Sequence, residues 1–133
     1  MSVELLAPCG SYESFLAAVN AGADAVYLAG NKYGARAYAE NFDIEKLCFV
    51  IMQAHVRNVK VYLTVNTLVK DTELDELYEY MLPLVKYGLD GVIIQDLGVF
   101  RYLKKSFVEN GFPNLELHAS TQMTITSKYG AHL

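Results

Sequence analysis

Gly22-Ala23-Asp24-Ala25-Val26-Tyr27-Leu28 has an echo at Gly88-Leu89-Asp90-Gly91-Val92-Ile93-Ile94. In each copy a Gly closes an amphipathic run, one residue intervenes, an Asp follows, and a short apolar run begins. Gly suits the left-handed position at a helix end. The apolar run then reads as a strand buried on both faces, the habit of parallel sheets. Two helix-to-strand joints of one design make a βα repeat, and the rest of the chain attaches to them.

Upstream of the first joint, Val3 to Ala7 reads as a strand stopped by Pro8. Ser11 is a natural N-cap for a helix whose apolar face is Phe15, Leu16 and Val19. Between the joints, Asp43 caps a helix with Leu47, Val50, Ile51 and Ala54 on one face. Asn58 closes it, and Val59 to Val65 is the most β-branched run. Asp71 or Thr72 caps a third helix with Leu74, Leu77, Tyr78, Met81 and Val85 inward. Pro83 is expected to kink or split it. Beyond the second joint, Phe100, Leu103 and Phe107 line a fourth helix, which Asn110-Gly111 ends. Leu115 to His118 is a fifth strand, and Ile125 to Leu133 opens a fifth helix.

The strands begin near residues 3, 25, 60, 91 and 115, spacings that suit βα units. Two architectures compete. A doubly wound sheet fits 133 residues. A (β/α)8 barrel takes about 250, so this chain would be its N-terminal half. Pro8-Cys9-Gly10-Ser11 carries one Gly where a dinucleotide fingerprint needs three. The expected fold is therefore α/β, a parallel βα repeat forming the N-terminal half of a TIM-like barrel. Residues 1–133 are expected to form a single partial domain that breaks off in its fifth helix.

Composition bounds the function. The chain is 53% hydrophobic and 20% charged, with a formal net charge of −4. That balance is a poor one for a free-standing nucleic-acid binder, because neutralising phosphates takes clustered Lys and Arg. Met1 to Glu4 shows no basic, apolar leader, and no stretch reaches the length a bilayer needs. A cytoplasmic protein without membrane association is expected. Cys9 and Cys48 have no metal-ligand spacing, and no metal site is expected. Cys48 reads as a small core hydrophobe.

In a βα barrel the working groups sit on the loops at the carboxyl ends of strands. That rule selects Cys9 and Ser11 after the first strand, Arg36 and Glu40 after the second, Asn66 after the third, Gln95 and Asp96 after the fourth, and His118, Ser120 and Gln122 around the fifth. His118 with Asp96 is the candidate catalytic pair, a base with its orienting carboxylate. Alternatively, His118 bonds a backbone carbonyl. Arg36 presents a planar fork for a carboxylate or phosphate, or pairs with Glu40. Asn66 binds substrate or ties down its own turn. Gln95 and Gln122 complete the expected binding set. His55 and His132 carry no signal.

Several stretches in series carry a family likeness: Glu4-Leu5-Leu6-Ala7-Pro8, Gly10-Ser11, Ala21 to Leu28, Gly34-Ala35-Arg36-Ala37-Tyr38-Ala39-Glu40-Asn41-Phe42, Gln95-Asp96-Leu97-Gly98, and Leu117-His118-Ala119-Ser120-Thr121-Gln122-Met123. Together they resemble the N-terminal part of peptidase family U-32, the collagenase-like proteases. The resemblance implies a TIM-like barrel in a longer protein and a peptidase acting on a peptide or small-molecule substrate. Other members resemble tRNA or rRNA hydroxylation factors, so RNA is an alternative partner through a full-length parent. The resemblance places an iron–sulfur cluster on cysteines downstream of the matched region, and therefore no cofactor in this chain. A half barrel leaves two sheet edges open, which predicts a homodimer.

Overall fold

The computed structural model describes residues 5–30, 42–65 and 73–119. Strands and helices alternate: β1 (Leu6–Pro8), α1 (Tyr12–Asn20), β2 (Ala25–Ala29), α2 (Ile44–Val56), β3 (Lys60–Val65), α3 (Leu74–Tyr87), β4 (Gly91–Ile94), α4 (Leu97–Leu103) and β5 (Glu116–Ala119). All strand pairs are parallel, and the sheet order is β1-β2-β3-β4-β5. A doubly wound sheet reverses its order partway. Strict sequential order is that of a barrel wall, so the half-barrel expectation holds.

The repeated Gly-x-Asp joints act as clamps. Gly22 and Gly88 take positive φ, +93° and +113°. Each following Asp then grips the strand before it. Asp24 donates its amide to the Leu5 carbonyl at 2.9 Å, and its Oδ2 accepts the Leu5 amide at 2.8 Å. Asp90 does the same to Val61, at 3.1 Å and 2.7 Å. The carbonyls of Asp24 and Asp90 accept the amides of Lys60 and Glu116 on the next strand, each at 3.0 Å. One residue type thus ties three neighbouring strands at their amino ends. His55 joins the second clamp, with Nε2 2.8 Å from Asp90 Oδ2.

Helix starts follow the expected chemistry. Ser11 Oγ accepts the Ser14 amide at 3.1 Å, and Asp43 Oδ1 accepts that of Lys46 at 2.8 Å. Asn58, at φ 60°, closes α2. Phe15, Leu47, Ile51, Leu77, Met81, Leu84, Leu103 and Phe107 form one core with Val26, Leu28, Val61, Leu63, Val92 and Ile94. Each large side chain buried there contributes about 1.5–3 kcal/mol.

Four expectations need correction. Pro83 does not split the third helix, and α3 is continuous through it. Pro83 is exposed, so the carbonyl it leaves unpaired one turn earlier can meet water, while buried Leu77, Met81, Leu84 and Val85 pin both halves. The first strand stops at Pro8 but includes it, one residue past the expected end at Ala7, with Pro8 paired to Tyr27. The edge position tolerates a residue with no amide hydrogen. The fourth helix does not finish as a plain α-helix but passes into a π-helical turn over Lys104–Val108. That turn keeps Phe107 fully buried and stacked on Tyr78, with ring centroids 4.9 Å apart. Cys48 is half-buried rather than buried. Asp71, Thr72 and the fifth helix from Ile125 lie outside the described residues.

Candidate functional site

Side chains alternate across a strand. Val61, Leu63 and Val65 on β3, and Val92 and Ile94 on β4, pack into the core with the helices. Lys60, Tyr62 and Thr64 therefore point to the opposite face. So do Gly91 and Ile93, and on β5 Glu116 and His118. That opposite face is the one a closed barrel turns to its lumen.

Register brings five of these residues together. Tyr62 stands beside Gly91, and Gly91 beside Glu116. A Cβ on Gly91 would lie 2.7 Å from Tyr62 Cδ1 and 2.8 Å from the Glu116 carbonyl oxygen. With no side chain on β4 at this level, the Tyr62 ring crosses it and donates its hydroxyl to Glu116 Oε1 at 3.3 Å. His118 Nε2 lies 3.1 Å from the same oxygen. Lys60 Nζ donates to Glu116 Oε2 at 3.2 Å. The Tyr62 and His118 rings meet edge to face, centroids 5.0 Å apart at 70°.

The electrostatics follow from the geometry. Burial alone would raise the Glu116 carboxyl, but hydrogen bonds from Lys60 and His118, and their charges, outweigh it and hold the pKa below the ordinary value. Tyr62 is buried at 3% exposure, whereas the His118 side chain is 47% exposed. The arrangement presents an imidazole on a fixed carboxylate, with a phenol locked beside it. A positioned imidazole of this kind can give or take a proton.

The expected Asp96–His118 pair does not form. Asp96 Oδ1 accepts the Gly98 amide at 2.7 Å and caps α4. The carboxylate on His118 is Glu116, two residues earlier on the same strand and therefore on the same face. Gln95 donates its backbone amide to the Val65 carbonyl at 3.3 Å. Cys9 is buried, and burial pushes its thiol up to about 11. Ser11 Oγ serves the α1 cap. Arg36, Glu40, Asn66, Ser120 and Gln122 lie outside the described residues.

Lys60, Tyr62 and Glu116 were not anticipated from the sequence. Their shared parity with His118 is legible in the period-two alternation of β3 and β5, but register alone places them side by side. Among the described residues no three His, Cys, Asp or Glu side chains converge as metal ligands. Cys9 follows β1 and Cys48 lies on α2, so the described chain offers no ligand set for an iron–sulfur cluster. No described helix is long and apolar enough to cross a membrane.

The model of peptidase family U32 matches residues 10–133. The chain is 34% identical over 124 residues to tRNA hydroxylation protein P1 of Bacillus subtilis, covering 93% of this chain and 28% of that protein. It is 35% identical over 123 residues to the 23S rRNA 5-hydroxycytidine C2501 synthase of Escherichia coli, covering 92% and 18%. It is 34% identical over 125 residues to a collagenase of Porphyromonas gingivalis, covering 93% and 28%. The chain thus spans less than a third of the length of these relatives. A solved U32 peptidase, Mk0906, superposes with a TM-score of 0.69 at 14% identity, over 95% of this chain and 51% of that one. That likeness concerns the fold.

Proposed function

The chain belongs to peptidase family U32, and from that premise we propose that it forms the substrate-holding part of an RNA hydroxylation protein. The observation that carries this assignment is the partner of His118. Its Nε2 sits on the Glu116 carboxylate, with the Tyr62 phenol on the same oxygen. This is proton-exchange chemistry facing a barrel lumen. A peptidase of the serine or cysteine type needs a side-chain nucleophile activated by a base. Among the described residues, the thiol on the rim, Cys9, has a raised pKa, and the rim hydroxyl of Ser11 is engaged at a helix cap.

The relatives named for tRNA and rRNA hydroxylation support this assignment. Enzymes that modify a base take it out of its stack and into a pocket. On that lumen wall the half-exposed His118 offers a ring nitrogen to the edge of such a base. The described residues supply no metal ligand set, so the oxygen-insertion step is not assigned to them.

Disruption of the gene in its host, followed by mass spectrometry of tRNA and rRNA nucleosides, tests the assignment. The expected result is loss of a hydroxylated pyrimidine, restored by the wild-type gene. Unchanged nucleosides, together with hydrolysis of collagen-derived peptides by the purified protein, would overturn it in favour of the peptidase.

A further inference from the structure

A concavity lies away from the Glu116 network. It is an open cleft of ≈ 520 Å³ between the start of α1 and the first turns of α2, lined by Gly10, Tyr12, Phe42, Lys46, Phe49 and Val50. Its size is in the range of small-ligand sites. Phe42 and Val50 are buried beneath it, whereas Tyr12 and Phe49 are 36% and 45% exposed. Their rings touch across the two helices, centroids 5.5 Å apart at 47°. Two large aromatic faces left to water beside a cleft of this size call for a flat, apolar ligand surface.

Lys46 adds the second half of the recognition. Its backbone amide is held by Asp43 Oδ1. Among the described residues its ammonium pairs with no carboxylate, and it lines the same cleft as the rings. Aromatic rings next to a lysine are the elements that bind single-stranded nucleic acid, where a base stacks and a phosphate takes the cation. The cleft opens at Gly10 and Ser11, directly after β1, so it stands at the carboxyl rim where a barrel receives its substrate.

We propose that this cleft binds one unpaired nucleotide flanking the target base in an RNA strand, its base stacked on the Tyr12–Phe49 ring pair and its phosphate on Lys46. The proposal rests on the RNA assignment above and adds a named contact surface to it. Glu13 and Glu45 are exposed on the same helices, so the surroundings are not uniformly basic. Stacking, rather than summed charge, therefore carries the affinity, and the salt dependence of binding is shallow, about one counterion at this site. An acidic chain can hold RNA in this way.

The test uses the protein as its host makes it and a short fluorescein-labelled oligoribonucleotide of mixed pyrimidines, read by fluorescence anisotropy at several salt concentrations. Phe49→Ala is expected to weaken binding about 10-fold. Lys46→Gln is expected to weaken it less and to lower the salt slope by about one. Val56→Ser, on α2 but outside the cleft, is expected to bind as wild type. Thermal melts of all variants control for folding, since each altered side chain is exposed.

Wild-type affinity in both Phe49→Ala and Lys46→Gln would overturn the cleft. So would a change in oligomeric mass in Phe49→Ala with RNA binding intact, because the exposed stripe of Phe49, Met52 and Val56 would then be a protein contact. The two levels separate through the nucleoside measurement. Hydroxylation that is restored by wild type and equally by Phe49→Ala removes the cleft and leaves the RNA assignment standing. Nucleosides unchanged by gene disruption remove both.

Discussion

The Asp90 carboxylate accepts the Val61 amide at 2.7 Å, and with that one bond it replaces a rung of the ladder between β3 and β4. The Asp24–Leu5 pair repeats the relationship at 2.8 Å between β1 and β2. Asp90 also holds His55, so its loss unties a helix as well as a strand. Asp90→Ala leaves the Val61 amide without its acceptor, at a cost of about 1–3 kcal/mol. Asp90→Asn keeps an acceptor and should lose less. Urea denaturation of the two variants checks the order.

Gly91 is where the Tyr62 ring crosses β4. Gly91→Ala puts a methyl against that ring and against the Glu116 carbonyl. The carbonyl belongs to the sheet and cannot swing away. A loss of about 1–3 kcal/mol is expected, together with displacement of Tyr62 from Glu116. The second effect should appear as a changed tyrosine absorbance in difference spectra at neutral pH.

Glu116 sets an acid limit. Its folded pKa is held below the ordinary value, so the stability it contributes is complete above the unfolded carboxylate pKa, about 4.3. That contribution disappears as pH falls through the lowered folded value. Glu116→Gln removes this dependence. Melting temperatures measured downward from pH 6 should fall less steeply for Glu116→Gln than for wild type.

Asp96 separates a cap from a catalyst. Its carboxylate holds the first turn of α4 through the Gly98 amide. Asp96→Ala should cost about 1 kcal/mol, and Asp96→Ser, which also caps, should recover most of it. If RNA hydroxylation in the complemented host follows stability through both variants, Asp96 acts through the helix. Loss of hydroxylation in a stable Asp96→Ser protein would return it to the chemistry.

Cys9 should resist alkylation. With its pKa near 11, about 0.1% of the thiol is ionised at pH 8, and the thiolate is the reactive form. Iodoacetamide labelling followed by peptide mass spectrometry should show Cys9 modified at least ~10-fold faster in urea than in the folded protein.

Much of the architecture was legible because it is written in local chemistry. Left-handed closure at Gly22, Asn58 and Gly88 follows from backbone sterics, the caps at Ser11 and Asp43 from one side-chain oxygen, and the helix faces from a 3.6-residue period. The family resemblance and the half-barrel reading grew from the same segments. Pro83 misled because its local penalty was outweighed by buried neighbours on both sides. His55 carried no signal because Asp90, its partner, is 35 residues away.

The chain alone determined which residues are helical, which are extended and which face each strand residue shares, since these depend on neighbours within a few positions. Only tertiary structure decided that His118 meets Glu116 rather than Asp96, and that Lys60 and Tyr62 join them. The contacts of Lys60 and Tyr62 with Glu116 span 56 and 54 residues and depend on the register of three strands and on the absence of a side chain at Gly91. A register shift of one residue would turn every one of them to the other face.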